Sequence, residues 1–201
     1  MNIRTLALTL SMGALLAACG VDTTGISAES SRTPLGGENA AVVVAEYADL
    51  QCPACKAAHS LLTKPLVAKY GNRIRFDFKH FPLRTIHPYA LEAAEAAECA
   101  ADQGKFWEYL DYNYEHQDDL NKKPYEDWAK ALGLNEDTFH RCLASHIKRD
   151  VVMADANEAN ALGFNSTPTY AVDGVKVTAN TLEAISAAVD QALAKAQAVP
   201  L

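Results

Sequence analysis

Positive charge is scarce in this chain. Lys and Arg total 18 against 25 Asp and Glu, the net charge is −7, and no basic run exceeds a pair. Such a chain is not expected to hold nucleic acid by sequence-independent phosphate contacts. Long apolar runs are also missing. The longest uncharged, largely apolar stretch, Leu6 to Ala18, is shorter than the roughly 20 residues of a membrane span. Nothing repeats along the sequence. Cysteines number five, and only one C-x-x-C occurs, so no second pair completes a four-ligand zinc or iron–sulfur set. What is present is a hydrophobic fraction of 49% in 201 residues, enough core for one domain or one domain carrying an insertion.

The N-terminus reads as processing, not fold. "MNIR" supplies one positive residue and Leu6 to Ala18 follow as an apolar segment, so residues 1–18 are expected to be a signal peptide. The sequence "LLAACG" resembles a bacterial lipobox, which implies cleavage before Cys19 and acylation of that cysteine. The alternative is a plain secretory signal cut near Ala18, with Cys19 incidental. Several acyl chains anchor stably where one binds marginally. Gly20 stands where the lipoprotein pattern uses Asp for inner-membrane retention, which favours the outer membrane. With Cys19 assigned to lipid, Cys52, Cys55, Cys99 and Cys142 form an even set in a compartment where disulfides persist. Residues 19–39 are small and polar and read as a flexible tether.

Beyond the tether, "AAVVVAEYA" reads as a buried strand and "PACKAAHSLLTKPLVAKYG" as a helix kinked at Pro65 and stopped at Gly71. "RIRFDFKHF" alternates like a second strand. Residues 86–162 then carry helical period throughout, with glycines or short polar joints between segments. "TPTYAVDGVKVT" is a hairpin about Asp173-Gly174, and a last helix follows, capped by Asn180 or Thr181. The order is β-α-β, a helical insert, then β-β-α. It places one α/β domain in residues 40–85 and 163–201, interrupted by an all-α domain.

The pair in "QCPACK" raises three possibilities: a redox pair, part of a metal site, or a structural crosslink. Proline suits the first helical position, which puts Cys52 at the N-cap, where free N–H groups favour an anion. A thiol there is acidified, and Cys52 is expected to be the exposed nucleophile. Cys55 shares its helix face within disulfide reach and would be the buried resolving thiol. A metal reading would add His59, one helical turn past Cys55. A crosslink over so short a loop is worth only about 2 kcal/mol.

Together, "PLGGENAAVVVAEYADLQCPACK", "FKHFPL", "HPYALEAAEAAECAADQGKFWEY" and "ANALGFNSTPTYAVDG" resemble the DsbA-like thiol–disulfide oxidoreductases, from about Thr33 to the last helix. The resemblance implies a thioredoxin-like fold with an inserted helical domain. It makes Cys52 and Cys55 the redox pair, with Pro53 and Ala54 between them at the substrate-facing surface. It matches Glu46 to the family's acid beneath the active site. A carboxylate in an apolar strand beside a buried thiol has a raised pKa and can relay that thiol's proton. Thr167-Pro168 matches the cis-proline loop, whose backbone would pair with substrate peptide. Cys99 and Cys142 match a pair that bridges the helical domain, closing about 44 residues for about 4 kcal/mol; two buried free thiols are the alternative. One departure stands out. Strongly oxidising members commonly have Pro-His between the cysteines, and Ala54 removes that histidine, which implies a weaker oxidant.

The aromatics Phe106, Trp107, Tyr109, Tyr112 and Tyr114 read as helix packing, and His80 and His87 as loop and cap residues. The expectation is therefore an exported, lipid-anchored, monomeric oxidant of protein thiols. It would need no bound cofactor or metal, because the electrons reside on the Cys52–Cys55 sulfurs. A membrane redox partner would recycle it. The alternatives are a reductase of the same fold or a non-enzymatic metal- or client-binding lipoprotein. An isomerase is disfavoured because no dimerisation domain precedes the site.

Overall fold

The computed structural model describes residues 21–198; the segment expected to be a signal peptide and Cys19, expected to carry lipid, lie outside them. Five strands form one mixed sheet: β1 (Leu35–Gly36), β2 (Val42–Ala48), β3 (Ile74–His80), β4 (Thr169–Val172) and β5 (Val175–Lys176), in the order β1-β3-β2-β4-β5. β2 and β3 run parallel, and the other pairings are antiparallel. Central β2 is apolar on both faces because both are covered. Val42 and Val44 pack with Leu66 and Tyr70 of α2 (Lys64–Tyr70) and with Ile185 and Val189 of α8 (Leu182–Ala198), whereas Tyr47 faces Ala156 and Ala159 of α7 (Arg149–Ala161).

After β2 the chain turns into α1 (Pro53–Ala58), a π-helical turn (His59–Thr63), and α2. The kink expected at Pro65 is replaced by this widened turn ahead of it, in which the Lys64 N–H donates to the His59 carbonyl. Pro65 thereby falls in the first turn of α2, directly after the widened turn. Cys55, His59 and Thr63 follow at intervals of one turn, and all three are buried.

Between β3 and β4 lie α3 (Ala90–Ala101), α4 (Phe106–Glu115), α5 (Tyr125–Ala131), α6 (Glu136–Ser145) and α7. Their shared core holds Tyr109, Leu110, Phe139 and Trp128, and it continues without a break into Leu50, Cys52, Cys55 and Phe78. The cysteine pair therefore sits where the helical insert meets the sheet. At the far side, Cys99 of α3 and Cys142 of α6 are joined by a disulfide.

The segment read as a flexible tether is laid against the fold over most of its described length. Ser30 Oγ donates to Glu98, and the Arg32 guanidinium bonds the carboxylates of Glu98 and Asp155. β1 then adds an edge to β3, so closely that a side chain on Gly36 (φ +81°) would collide with the Ile74 carbonyl. Its small polar composition hid this, because the segment is held by ion pairs and an edge pairing and not by an apolar stripe. His80 likewise ends β3 in the interior, with Nε2 3.0 Å from Glu98. At the other end of the chain, Thr181 Oγ1 accepts from the Ala184 N–H as the cap of α8, while Asn180 donates to the Pro168 carbonyl.

The Cys99–Cys142 bridge closes a sequence separation of 43. Replacing both cysteines by alanine is expected to lower unfolding free energy by about 4 kcal/mol on the chain-entropy model. Equilibrium denaturation of both proteins, with Cys52 and Cys55 reduced in each, checks this; a loss under about 1 kcal/mol would show that the bridge constrains little.

Candidate active site

Cys52 occupies the N-cap of α1, with extended backbone (φ −77°, ψ 121°), and Pro53 opens the helix. The loop before it is held from several directions. The Asp49 carboxylate accepts from the Gln51 and Leu83 N–H groups (both 2.7 Å) and lies 2.8 Å from His87 Nδ1. The Asn113 and Gln117 side chains of the insert donate to the Leu50 carbonyl, and Gln117 also donates to that of Cys52. Asn113, Gln117 and Asp49 are positioning residues with no sequence signal, since each bonds main chain that any sequence would present. His87 is more than the cap residue it resembles, because it braces Asp49.

The two thiols sit in opposed environments. Cys52 is pulled down to about 5: the Cys55 S–H donates to its sulfur, burial opposes, and the Thr167 side chain and the N–H groups of Cys55 and Ala54 add to the lowering. The buried Thr167 hydroxyl has no other protein partner, so the thiolate is the acceptor open to it. The protonated thiol instead points at the Thr167 carbonyl, 3.7 Å away. Cys55 is driven well above its ordinary range by burial, by donating its hydrogen to Cys52, and by the Cys52 charge. The Asp49 N–H, 3.4 Å from Cys55 Sγ, works weakly the other way. Cys52 is thus the readily ionised thiol and Cys55 the one held protonated. Cys52, expected from the sequence to be exposed, is instead buried, its thiol facing the Thr167 carbonyl; Pro53 and Ala54 are exposed beside the pair, and the Thr167–Pro168 peptide bond is cis.

Glu46 lies on the inner face of β2, opposite Phe78 and Tyr170 in register, and is fully buried. Burial raises its pKa, although bonds from Thr63 and Tyr170 and the nearby His59 favour the ionised form. Thr63 Oγ1 donates to Glu46 Oε2 at 2.7 Å and lies 2.8 Å from the Tyr170 hydroxyl, while Oε1 has no partner. Thr63 and Tyr170 were not singled out by sequence. The signal for Thr63 was available in the one-turn spacing of Cys55, His59 and Thr63. His59 Nε2 meets Asp111 on α4, and no three ligating side chains come together among the described residues, so Cys52, Cys55 and His59 do not form a metal triad.

The acidity of Cys52 has a consequence for stability. In the reduced protein a depressed thiol pKa contributes stability that is full above the ordinary value of about 8.5 and is lost as pH falls through about 5. Denaturation of the reduced protein against Cys52→Ser is expected to show a difference that shrinks across that window. A difference constant with pH would contradict the assignment.

Comparison with known proteins agrees with this architecture. The thioredoxin family model matches residues 28–191. A thioredoxin-like oxidoreductase from Silicibacter pomeroyi DSS-3 superposes with a TM-score of 0.71 at 24% identity, over 81% of this chain and 92% of its own. BdbD from Bacillus subtilis gives 0.72 at 22% identity, over 82% and 94%. Wolbachia pipientis alpha-DsbA1 gives 0.70 at 24%, over 82% and 92%. Among curated sequences, Na(+)/H(+) antiporter NhaA 3 of Salinispora tropica is 39% identical over 166 residues, 82% of this chain but 25% of that protein. NhaA 1 of Mycolicibacterium vanbaalenii is 36% identical over 143 residues, 70% and 23% respectively. The chain therefore spans about a quarter of the length of these curated relatives. With the family model covering most of its length and the sheet and cysteine pair arranged as described, the chain belongs to the thioredoxin family, its fold carrying a helical insertion between β3 and β4.

Proposed function

We propose that this protein is a thiol–disulfide oxidoreductase that oxidises the cysteines of exported proteins through Cys52 and Cys55. The observation that carries the reading is the asymmetry of the two thiols: one ionised near neutral pH at a helix start, the other buried and protonated behind it. A pair so arranged favours its reduced form, because the Cys52 thiolate is stabilised only once the disulfide opens.

The exchange runs as two displacements. A client thiolate attacks Cys52 Sγ, the Cys52–Cys55 bond breaks, and its electron pair leaves on Cys55, which takes up a proton. A second client thiolate attacks the client sulfur of the mixed disulfide, and Cys52 departs as a thiolate. The client is oxidised by two electrons, and the pair is reduced by two. Glu46 is the group beneath the site suited to hold the proton of Cys55. The Thr167 main chain, beside Cys52, offers an edge for an extended client segment. The electrons are carried on the two sulfurs, with no further cofactor in the scheme.

Reoxidation falls to a membrane redox partner. The lipobox-like "LLAACG" supports export with a lipid anchor at Cys19 and a monomer tethered at the membrane surface, the outer membrane being favoured by Gly20. That a similar sequence forms part of proteins named as Na(+)/H(+) antiporters also supports work beside a membrane. No helix among the described residues is long and apolar enough to cross a bilayer. A second reading, a reductase fed by a membrane donor, is favoured by Ala54 alone, which offers no side-chain hydrogen bond to the thiolate.

Cys55→Ser leaves Cys52 able to attack but removes the resolving thiol. Expressed in the exporting host, this variant is expected to accumulate covalent client adducts that dithiothreitol releases, and a Cys52→Ser/Cys55→Ser double variant to accumulate none. Absence of adducts on Cys55→Ser would defeat the exchange mechanism.

A further inference from the structure

Each turnover delivers one proton to Cys55 or takes one away, yet neither Cys55 nor Glu46 has any exposed surface (both 0% exposed). Resting on the exchange reading above, we propose that His59 and Asp111 form the path by which that proton passes between the Glu46–Cys55 pair and solvent.

The path begins on one helix face. Cys55, His59 and Thr63 stack at one-turn spacing, and Thr63 holds one oxygen of Glu46. His59 is itself buried, and its two ring nitrogens have different surroundings. Nε2 lies 2.5 Å from Asp111 Oδ1 on α4. Nδ1 is buried without a protein partner, as are Glu46 Oε1 and the hydroxyl of Tyr114. The three side chains share one region of the interior, close enough for their charges to act on one another. The Tyr114 and His59 rings are 5.2 Å apart, a charge on His59 would act on Glu46, and Tyr114 feels both Cys55 and Glu46. Buried polar atoms are rarely left unpaired; the Tyr114 hydroxyl or an ordered water bridging Nδ1 and Oε1 would satisfy them and supply the missing contact.

The outer end reaches water. The Asp111 side chain is 39% exposed and also bonds Lys64 Nζ at 2.9 Å, itself on the surface. Burial pushes the Asp111 pKa up, but the bonds from His59 and Lys64 outweigh it, so Asp111 is held ionised as an acceptor. The titratable and charged groups around His59 are thus Glu46 from β2, Cys55 and Lys64 from its own helix, and Asp111 and Tyr114 from α4. An imidazole between two acids can take a proton at one nitrogen and release another from the opposite one. When Cys55 must attack a mixed disulfide on Cys52, its proton goes to Glu46, then across His59 to Asp111 and out. When Cys55 leaves as a thiolate, the proton returns by the same groups. His59 and Asp111 act through Glu46, and are positioning and relay residues rather than groups that touch the reacting sulfurs.

The test isolates the step that needs this proton. The reduced full chain is mixed with glutathione disulfide, quenched with acid, and followed by mass as the glutathione adduct on Cys52 forms and then decays through attack by Cys55. His59→Gln keeps a donor for Asp111 but cannot relay, and Asp111→Asn, at the surface, guards against misfolding of the buried variant. Adduct formation is expected at the unsubstituted rate in both. Decay at pH 7 is expected to slow by about tenfold or more, the scale of general acid–base assistance, and to recover as hydroxide rises. Decay at the unsubstituted rate at every pH, or slowed by one constant factor at every pH, would overturn the proposal. No adduct on the unsubstituted protein would overturn the exchange reading and this inference together.

Discussion

A negative charge on one sulfur organises the molecule. Cys52 can hold it because several donors converge there: the Cys55 thiol, the Thr167 hydroxyl, and the N–H groups of Ala54 and Cys55. These donors come from two distant parts of the chain, the start of α1 and the loop before β4. They meet only if the sheet orders β4 beside β2 and the insert leaves that edge clear. The topology is thus the means by which Thr167 reaches Cys52.

The insert does more than fill space. Its Asn113 and Gln117 side chains take up the Leu50 and Cys52 carbonyls, so the loop carrying the cysteines is braced by helices that belong to a different layer. Ion pairs brace the other side: Arg32 from the N-terminal segment meets Glu98 of α3 and Asp155 of α7, and Asp155 also accepts the His80 N–H at the end of β3. Breaking one partner of such a buried set leaves a charge unpaired, which costs more than the pair itself contributes. The proton question has the same origin. A site dry enough to keep Cys55 neutral is also a site that a proton leaves only through side chains, and His59 with Asp111 is where titratable groups run from Glu46 to the surface.

Much of this was legible in the chain before any coordinates. Pro53 after Cys52 marks a helix start, Asp173-Gly174 marks the hairpin, and alternation marks β3, because each of these is a local backbone constraint. Resemblance supplied what local chemistry could not: Glu46, Thr167-Pro168 and the Cys99–Cys142 pair, all defined by contacts between remote segments. Three features escaped both routes. The segment at Ser30–Gly36 looked like a tether because its anchorage is ionic and edge-on. The π turn was hidden because Pro65 announces a disturbance but not its form. The roles of Asp49, Thr63 and Asp111 depend on which side chain lies across a gap, and a polar residue on a helix surface has many possible partners until the fold selects one.

The central claim is that the protein favours its reduced pair and so draws electrons from its clients. Its most direct test is the reduction potential of Cys52–Cys55, measured against a glutathione buffer in protein whose Cys99–Cys142 bridge is intact. The account predicts a value above roughly −180 mV; a value near or below roughly −250 mV would contradict it and mark a reductase that needs an electron donor.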